Sequence, residues 1–282
     1  MDVLFISDYS LDHNKGGAQQ SNEQLIRYGR EIGHNIKLHA FDSSIVDFLH
    51  NYDLLISSNL PLNLKLKPYL FEKIISHPNH VRVEHDMNSY LDNQSRKILF
   101  QSAKKVFFLS QYHLDQFNLE YGDYFKNSEI VYDPIDPCIF YNKNQTRNDA
   151  VVYAGFFHPL KGVFNLIEFA KKNPEQLIEL YGFFENGLNQ DIFQNYKNIK
   201  FNGLISHLEL ADVFNANKYI YHNPEVKEPF CRMVAEALMC GMQPICNDKI
   251  GSLKEFEKVG LNEFVNKCKN APQIFWDKIK SL

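Results

Sequence analysis

Cysteine is scarce and badly placed for any structural role it could play. The five present, Cys138, Cys231, Cys240, Cys246 and Cys268, are odd in number and include no C-x-x-C pair. That argues against a disulfide scaffold or a zinc ribbon and fits a reducing compartment. Long apolar runs are missing too. The opening stretch, MDVLFISDYS, carries an acid at its second position and a short apolar run, too little for a secretory leader or a membrane span. The expectation is a cytoplasmic protein with no transmembrane segment. Positive charge is not in excess: 30 Lys and Arg against 34 Asp and Glu leave a net charge of -4, so a nucleic-acid partner would need a local basic patch. Lys65, Lys67, Arg82, Arg96, Lys104 and Lys105 are the candidates, against the plainer reading of scattered solubilising charge. No G-x-S-x-G elbow, H-E-x-x-H helix or Walker phosphate loop occurs, which removes the commonest hydrolase and nucleotide-hydrolase signatures. Short-period repeats and low-complexity tracts are also lacking.

What the chain does have is apolar and aromatic surface. Hydrophobic residues make up 44% of it, with 23 Phe and 15 Tyr, and 282 residues exceed a comfortable single core, so two domains are expected. The pattern is a recurring strand, loop, helix, strand order. Residues 2–6 read as a buried strand, 18–33 as an amphipathic helix and 34–41 as a strand. Strands follow at 52–58, 81–85 and 105–110, with helices at 64–75 and 90–103 between them. A second cycle starts at AVVYAG (150–155). It continues with a helix at 161–173, strands at 177–183 and 198–204, a helix at 207–216, a strand at 218–223, a helix at 229–240 and a last strand at 243–248. This is an α/β pattern with parallel sheets, and ligands in such folds sit beyond the carboxyl ends of the strands. The segment 133–150, with two prolines and a polar run, is the expected linker. The domains are therefore placed at 1–148 and 149–268, each Rossmann-like, with a C-terminal helix at 269–282 that packs across the cleft or on its own domain.

Residues 227–246, KEPFCRMVAEALMCGMQPIC, place Glu228 and Glu236 eight positions apart around one helix. Phe230, Met233, Val234, Ala237 and Leu238 follow helical spacing and form one apolar stripe. Pro229 suits a first turn and Gly241 a C-terminal cap, so the helix is expected to begin right after Glu228, with free N–H groups near Cys231 to Met233 able to meet an anion. Arg232 and Glu236 lie opposite the stripe. Their plain reading is an exposed i, i+4 pair worth about 0.3–0.5 kcal/mol.

The same stretch, followed by GSLKEF, resembles the glutamate-x7-glutamate signature of the retaining family-4 glycosyltransferases of the GT-B fold. GGAQQSNEQLIRYGREIGHNI resembles that family's glycine loop and first helix, VEHDMN its His-Asp segment and FLSQYHLDQF its Ser-containing strand end. VYDPIDPCIF resembles its interdomain segment, VVYAGFFHPLKGVFNLIEFA its Lys-Gly helix entry and FWDKI its late tryptophan helix. The order and spacing of these pieces cover most of the chain.

The resemblance implies two Rossmann-like domains facing across a cleft, the first binding an acceptor and the second a nucleoside-diphosphate sugar, a UDP-sugar ahead of a GDP-sugar. By it, Glu228 would hold donor-sugar hydroxyls and Glu236 the ribose, since a carboxylate accepts paired bonds from vicinal diols. Lys161 would neutralise the diphosphate, and Gly16 and Gly17 would let the backbone approach it. Arg232 and Met233 would line the donor site, and His85, with Asp86 orienting a neighbour, would approach the transferred sugar or the acceptor. No D-x-D triplet occurs, so no metal and no cofactor are expected. The implied acceptor is a glycan, a lipid or a small molecule. Two alternatives stay open: transfer to hydroxymethylated bases of viral DNA, and a noncatalytic nucleotide-sugar-binding module. The latter draws on Phe156, which stands where the family commonly has arginine, with Arg232 or His158 as replacement cations.

Overall fold

The computed structural model describes residues 1–9, 16–40, 51–58, 68–87, 93–122, 125, 127–185, 187–280 and 282. The chain divides into two compact units, the first made of Met1–Pro134 and Lys267–Leu282, the second of Ile135–Asn266.

In the first unit six strands form one parallel sheet: β1 (Asp2–Ser7), β2 (Asn35–Ala40), β3 (Leu54–Ser58), β4 (His80–Val83), β5 (Lys105–Phe108) and β6 (Ser128–Ile130). Their spatial order is β2-β1-β3-β4-β5-β6. The central strands are buried on both faces, which is why Val3 to Ile6 read as a continuous apolar run and not as an alternation. Helices α1 (Gly17–Glu31), α2 (Pro68–Ile75), α3 (Asn93–Ser102) and α4 (Gln111–Tyr121) connect them. The expected helices at 64–75 and 90–103 are found from Pro68 and from Asn93; residues 64–67 and 90–92, and with them Lys65 and Lys67, lie outside the described residues.

The second unit carries a five-stranded parallel sheet from β7 (Asn148–Phe157), β8 (Ile178–Phe184), β9 (Ile199–Phe201), β10 (Asn217–His222) and β11 (Gln243–Cys246), in the order β11-β10-β7-β8-β9. Its helices are α5 (Val163–Lys172), α6 (His207–Ala216), α7 (Arg232–Met239) and α8 (Gly251–Val259). Each sheet reverses its strand order once, between β1 and β3 in the first and between β7 and β10 in the second. A parallel α/β sheet opens its ligand crevice at such a reversal.

Two features of the chain path differ from the sequence expectation. Residues 135–147, read as linker and first half, go with the second unit. Phe140 packs on Phe214, Asn215 donates to the Tyr141 carbonyl at 3.0 Å, and Arg147 donates to the Phe214 and Asn217 carbonyls at 2.9 and 3.0 Å. Asp133 and Pro134 stay with the first unit, accepting from Ser21 at 2.6 Å and from Gln24 at 3.0 Å. The last helix, α9 (Leu261–Lys280), belongs to the second unit up to Asn266 and to the first from Lys267. Its Ala271, Phe275, Trp276 and Ile279 are part of the first unit's core, beside Val3, Phe5, Leu25, Ile26 and Phe107. Trp276 is fully buried and donates its indole N–H to the Leu25 carbonyl at 2.8 Å. Gly29 admits that ring: a Cβ there would lie 2.4 Å from it.

Candidate functional site

At the reversal in the second sheet, the chain leaves β7 through His158 into a single turn, Pro159–Lys161, and then into α5. His158 caps that turn by accepting the Leu160 N–H on Nδ1 at 2.9 Å. Gly162 follows in the left-handed region at φ 83°, and a Cβ there would meet the Asn223 carbonyl oxygen at 2.0 Å. The turn therefore lies flat against the segment leaving β10. The Glu225 N–H donates to the Leu160 carbonyl at 2.9 Å, and Asn165 reaches the Asn223 carbonyl at 2.9 Å. Only glycine allows this approach, and it puts the Lys161 ammonium 2.7 Å from Glu228 Oε1.

Glu228 is held by its own backbone. It forms an isolated parallel bridge with Ile250, its N–H donating to Lys249 at 2.8 Å and its carbonyl accepting from Gly251 at 3.0 Å. Phe230 continues the pairing, accepting from the Ser252 N–H at 2.7 Å. This overturns the expected helix start. Backbone groups at 228 and 230 are committed to residues 249–252, so the chain stays extended until Cys231, which turns it at φ 70°, and α7 begins at Arg232. Pro229 thus precedes the helix, and its first turn starts at Arg232.

The Glu228 carboxylate is 6% exposed. Burial pushes its acidity down in strength, but the Lys161 ammonium and the His222 imidazole outweigh that and hold its pKa at about 2. His222, at the end of β10, has Nε2 3.4 Å from the same oxygen. Burial works against its charged form, yet the Cys231 sulfur and the Glu228 carboxylate raise its pKa to about 10. A carboxylate fixed between two cationic groups at a strand reversal is a prepared acceptor for hydroxyl donors and cannot act as an acid near neutrality.

Arg232 and Glu236 do pair, with Nε 2.7 Å from Oε1, but not on the surface. Their side chains are 10% and 4% exposed. Helix α7 is buried on nearly every side: Val234 and Leu238 pack with Ile250 and Leu253, and Ala235, Ala237 and Met239 are buried as well. Met233 is partly buried against the same cluster. Phe230, just before the helix, stacks on Phe264 at 6.0 Å. The expected apolar stripe exists, and its opposite face is also enclosed. The exposed-pair reading of about 0.3–0.5 kcal/mol therefore does not apply. Phe156 packs at a tilt against Phe183 at 5.0 Å and His158 at 5.6 Å between ring centroids, and His158 Nε2 lies 3.1 Å from Glu185 Oε1.

In the first unit the reversal between β1 and β3 holds a polar cluster. His85, just past β4, has Nε2 3.0 Å from Asn22 Oδ1. Asn22 Oδ1 also accepts from Ser58 at 3.0 Å, and its amide donates to Ser7 at 3.2 Å. Asp8, at the end of β1, accepts from Gln19 at 3.0 Å and from Ser7 at 3.2 Å. Burial lowers the His85 pKa against the opposing pull of Asp133 and Glu84, so the ring is held toward its neutral form. Asp8 is raised, again by burial. Asp86 is positioned through its main chain: its N–H donates to Glu84 Oε1 at 3.2 Å and its carbonyl accepts from Arg96 at 2.8 Å. Glu84 itself is buried between Arg82, at 3.0 Å, and Arg96, at 3.7 Å, and those guanidiniums overcome burial to hold it at about 2. Gly16 caps α1 at φ −66° and Gly17 is the helix's first residue.

The structure thus brings Lys161 to Glu228 and Arg232 to Glu236, and places His85 and Asp86 at the strand edge of the other unit. Sequence reasoning missed His222 and Cys231 beside Glu228, and Asp8 and Asn22 beside His85. His222 had one legible signal, a histidine closing the strand KYIYHN; Asp8 likewise closes the strand VLFIS.

Two parallel sheets, each wrapped by helices and each with polar residues at its reversal, define a Rossmann-type α/β protein. The sequence profile of the glycosyl transferases group 1 matches residues 139–282, just over half of the chain, and the chain belongs to that family. Its fold is that of the retaining GT-B glycosyltransferases. Anabaena HepE in complex with UDP-glucose superposes with a TM-score of 0.70 at 17% identity, covering 99% of this chain and 95% of that one. Sucrose-phosphate synthase from Thermosynechococcus elongatus gives 0.71 at 12%, covering 100% and 94%. An alpha-glucosyltransferase in complex with UDP and a 13-mer DNA containing an HMU base gives 0.63 at 13%, covering 99% of each chain. No curated protein is recognisably similar in sequence. The family makes the protein a glycosyltransferase that uses a nucleotide-sugar donor. Among the described residues, no helix is long and apolar enough to cross a membrane.

Proposed function

We propose that the protein transfers a hexose, with retention, from a nucleoside-diphosphate sugar, UDP-glucose first, to a hydroxyl of a glycan, lipid or other glycoconjugate precursor. The observation that carries this reading is the Lys161–Glu228 pair at the reversal of the second sheet, 2.7 Å apart, with Glu228 buried. Glu228 would accept hydroxyls of the donor sugar, and Lys161 would swing from it to the diphosphate, trading one anion for another. Glu236, fixed by Arg232, would accept the two ribose hydroxyls, with Met233 lining the site beside them. The N-terminal end of α7 and the Lys161 charge would stabilise the leaving diphosphate without a metal. Retention then needs no protein nucleophile: the acceptor attacks the face the phosphate leaves, and the departing phosphate oxygen takes its proton.

In this reading the first unit supplies the acceptor side, with His85 and Asp86 at its strand edge and Gly16 and Gly17 at the α1 entrance. Arg232, paired with Glu236 at 2.7 Å, would line the donor site beside it. HepE and the DNA-bound alpha-glucosyltransferase suggest UDP-sugars as the first donors to test. For a DNA acceptor the described residues lend little: Arg82 and Arg96 are buried on Glu84, and Lys105 lies 3.7 Å from Glu129.

The test is a panel of UDP-, GDP- and ADP-sugars measured for binding and slow hydrolysis, with the anomer of the released sugar followed by NMR. UDP-glucose should bind and release the α-anomer first. A chain that binds none of the sugars is a different kind of protein. Glycan, lipid and hydroxymethylated-DNA acceptors, offered in parallel, then sort the acceptor class.

A further inference from the structure

Beside Glu228 stand two groups that the donor reading leaves without work. His222 and Cys231 complete a set whose ligand atoms, an imidazole nitrogen, a carboxylate oxygen and a thiol sulfur, all lie within 4.8 Å of one another. Ligand atoms around a tetrahedral zinc stand about 3.3–3.8 Å apart, given metal bonds of about 2.0 Å to nitrogen and oxygen and about 2.3 Å to sulfur. His222 Nε2 and Glu228 Oε1, at 3.4 Å, already meet that spacing. Cys231, which is partly exposed, supplies the thiol.

His222 is 3% exposed and turns its Nε2 toward Glu228, so the imidazole is fixed where a shared ligand would sit. A further observation singles out Cys231. Cys231 sits at φ 70°, one of two non-glycine residues at positive φ among the described residues. A left-handed conformation costs a side chain about 1–2 kcal/mol that glycine would avoid, so the sulfur is kept against a backbone preference.

We propose that His222, Glu228 and Cys231 form a site for a borderline-soft divalent cation, zinc, and that the cation competes with Lys161 for Glu228. Nitrogen and sulfur ligands with a single carboxylate select zinc over magnesium or calcium, which take mostly oxygen. On binding, the Cys231 thiol and the His222 imidazolium each give up one proton to solvent, leaving a thiolate and a neutral ring nitrogen as ligands, and the Lys161 ammonium leaves Glu228, because a dication on that carboxylate repels it. The fourth position stays open to water. Zinc here is an inhibitor and not a catalyst: it occupies the carboxylate that the donor sugar needs. That consequence rests on the donor reading above; the site itself does not.

The experiment uses the full chain stripped with a chelator and titrated with Co2+ as a spectroscopic stand-in, then with Zn2+ in equilibrium dialysis. One equivalent should bind, with a thiolate-to-cobalt charge-transfer band in the near ultraviolet. Cys231→Ser should abolish that band and weaken zinc at least tenfold, and His222→Gln should weaken it comparably. Lys161→Met should instead tighten zinc, an outcome that damage to the fold would not produce. UDP-glucose affinity should fall with added zinc in the natural chain and be indifferent to zinc in Cys231→Ser. Absence of stoichiometric binding, or binding that survives both Cys231→Ser and His222→Gln unchanged, overturns the site. Zinc bound as described in a chain that binds no nucleotide sugar would instead overturn the donor reading and leave the site standing.

Discussion

Both units place a histidine at a strand end, His85 after β4 and His222 closing β10, and their surroundings drive the two rings in different directions. In the first, burial lowers His85, and the strand edge is a network of that ring, hydroxyls and amides around Asp8 and Asn22; burial also holds His80, which opens β4, and His113, on α4, near pKa 3. In the second, His222 is held protonated between Cys231 and Glu228, and the edge is a set of close charges. The same topology therefore fixes where a ligand site forms, while the neighbours of each side chain decide its charge. A neutral edge suits an acceptor hydroxyl that must give up a proton; a charged edge suits a diphosphate.

The sharpest way to break this division of labour is by kinetics. Glu228→Ala should lose transfer by about a thousandfold or more with the fold retained, Glu236→Ala should chiefly raise the donor Kd, and His85→Ala should lower kcat while leaving the donor Kd alone. Full activity in Glu228→Ala would end the assignment of the second unit as the donor side. Next in size is stability. Trp276→Ala should cost about 3–5 kcal/mol, with hydrogen exchange rising first in the strands of Met1–Pro134 and not in Ile135–Asn266. Equal loss in both units would mean that α9 does not belong to the first core.

Acid should separate the units further. A histidine whose folded pKa is depressed is neutral in the fold and takes up its proton on unfolding, so its contribution is present above about pH 6.5 and is lost as pH falls toward the folded value. For His80 and His113 that window runs from about 6.5 to about 3, with a slope of about 1.4 kcal/mol per pH unit for each ring. Glu84 adds to it only below its unfolded value of about 4.5, down to about 2. The first unit should therefore loosen first on acidification, measured by exchange at pH 5 against pH 7; His80→Gln should shallow the slope. The smallest contrast is between two helix caps. Ser110, fully buried, accepts the His113 N–H at 3.0 Å, whereas Ser206 is an exposed half of a capping box with Glu209. Ser110→Ala should cost about 1–2 kcal/mol and Ser206→Ala about 0.5–1, read from denaturant midpoints.

Much of this was legible in the sequence, for identifiable reasons. The strand order follows from apolar runs bounded by loops, and Lys161, Glu228 and Glu236 were singled out by the family resemblance, whose motifs are local stretches of sequence. What escaped notice depends on distant residues. The start of α7 is set by pairing of Glu228 and Phe230 with residues 249–252, so Pro229 suggested a helix where the chain is extended. Burial of Arg232 and Glu236 arises because α7 is enclosed on more than one side, and helical periodicity reports only the most apolar face. His222 joins Glu228 and Cys231 across a strand, a loop and a helix entry, and nothing in linear spacing marks that meeting. The tryptophan helix was recognised, but its lodging beside Gly29 was not, since a glycine in a helix carries no sign of the ring it admits.

The first unit is not a continuous piece of chain. Its core is missing Phe275 and Trp276 until residues more than a hundred positions past Pro134 have been made. A ribosome releases Ile135–Asn266 before it releases the segment that seals that core, so during synthesis the later half can settle while the earlier half waits, with Leu25 and Ile26 still lacking their cover. The order of birth and the order of completion are reversed, which makes the first-made unit the one most in need of protection from aggregation while the chain is growing.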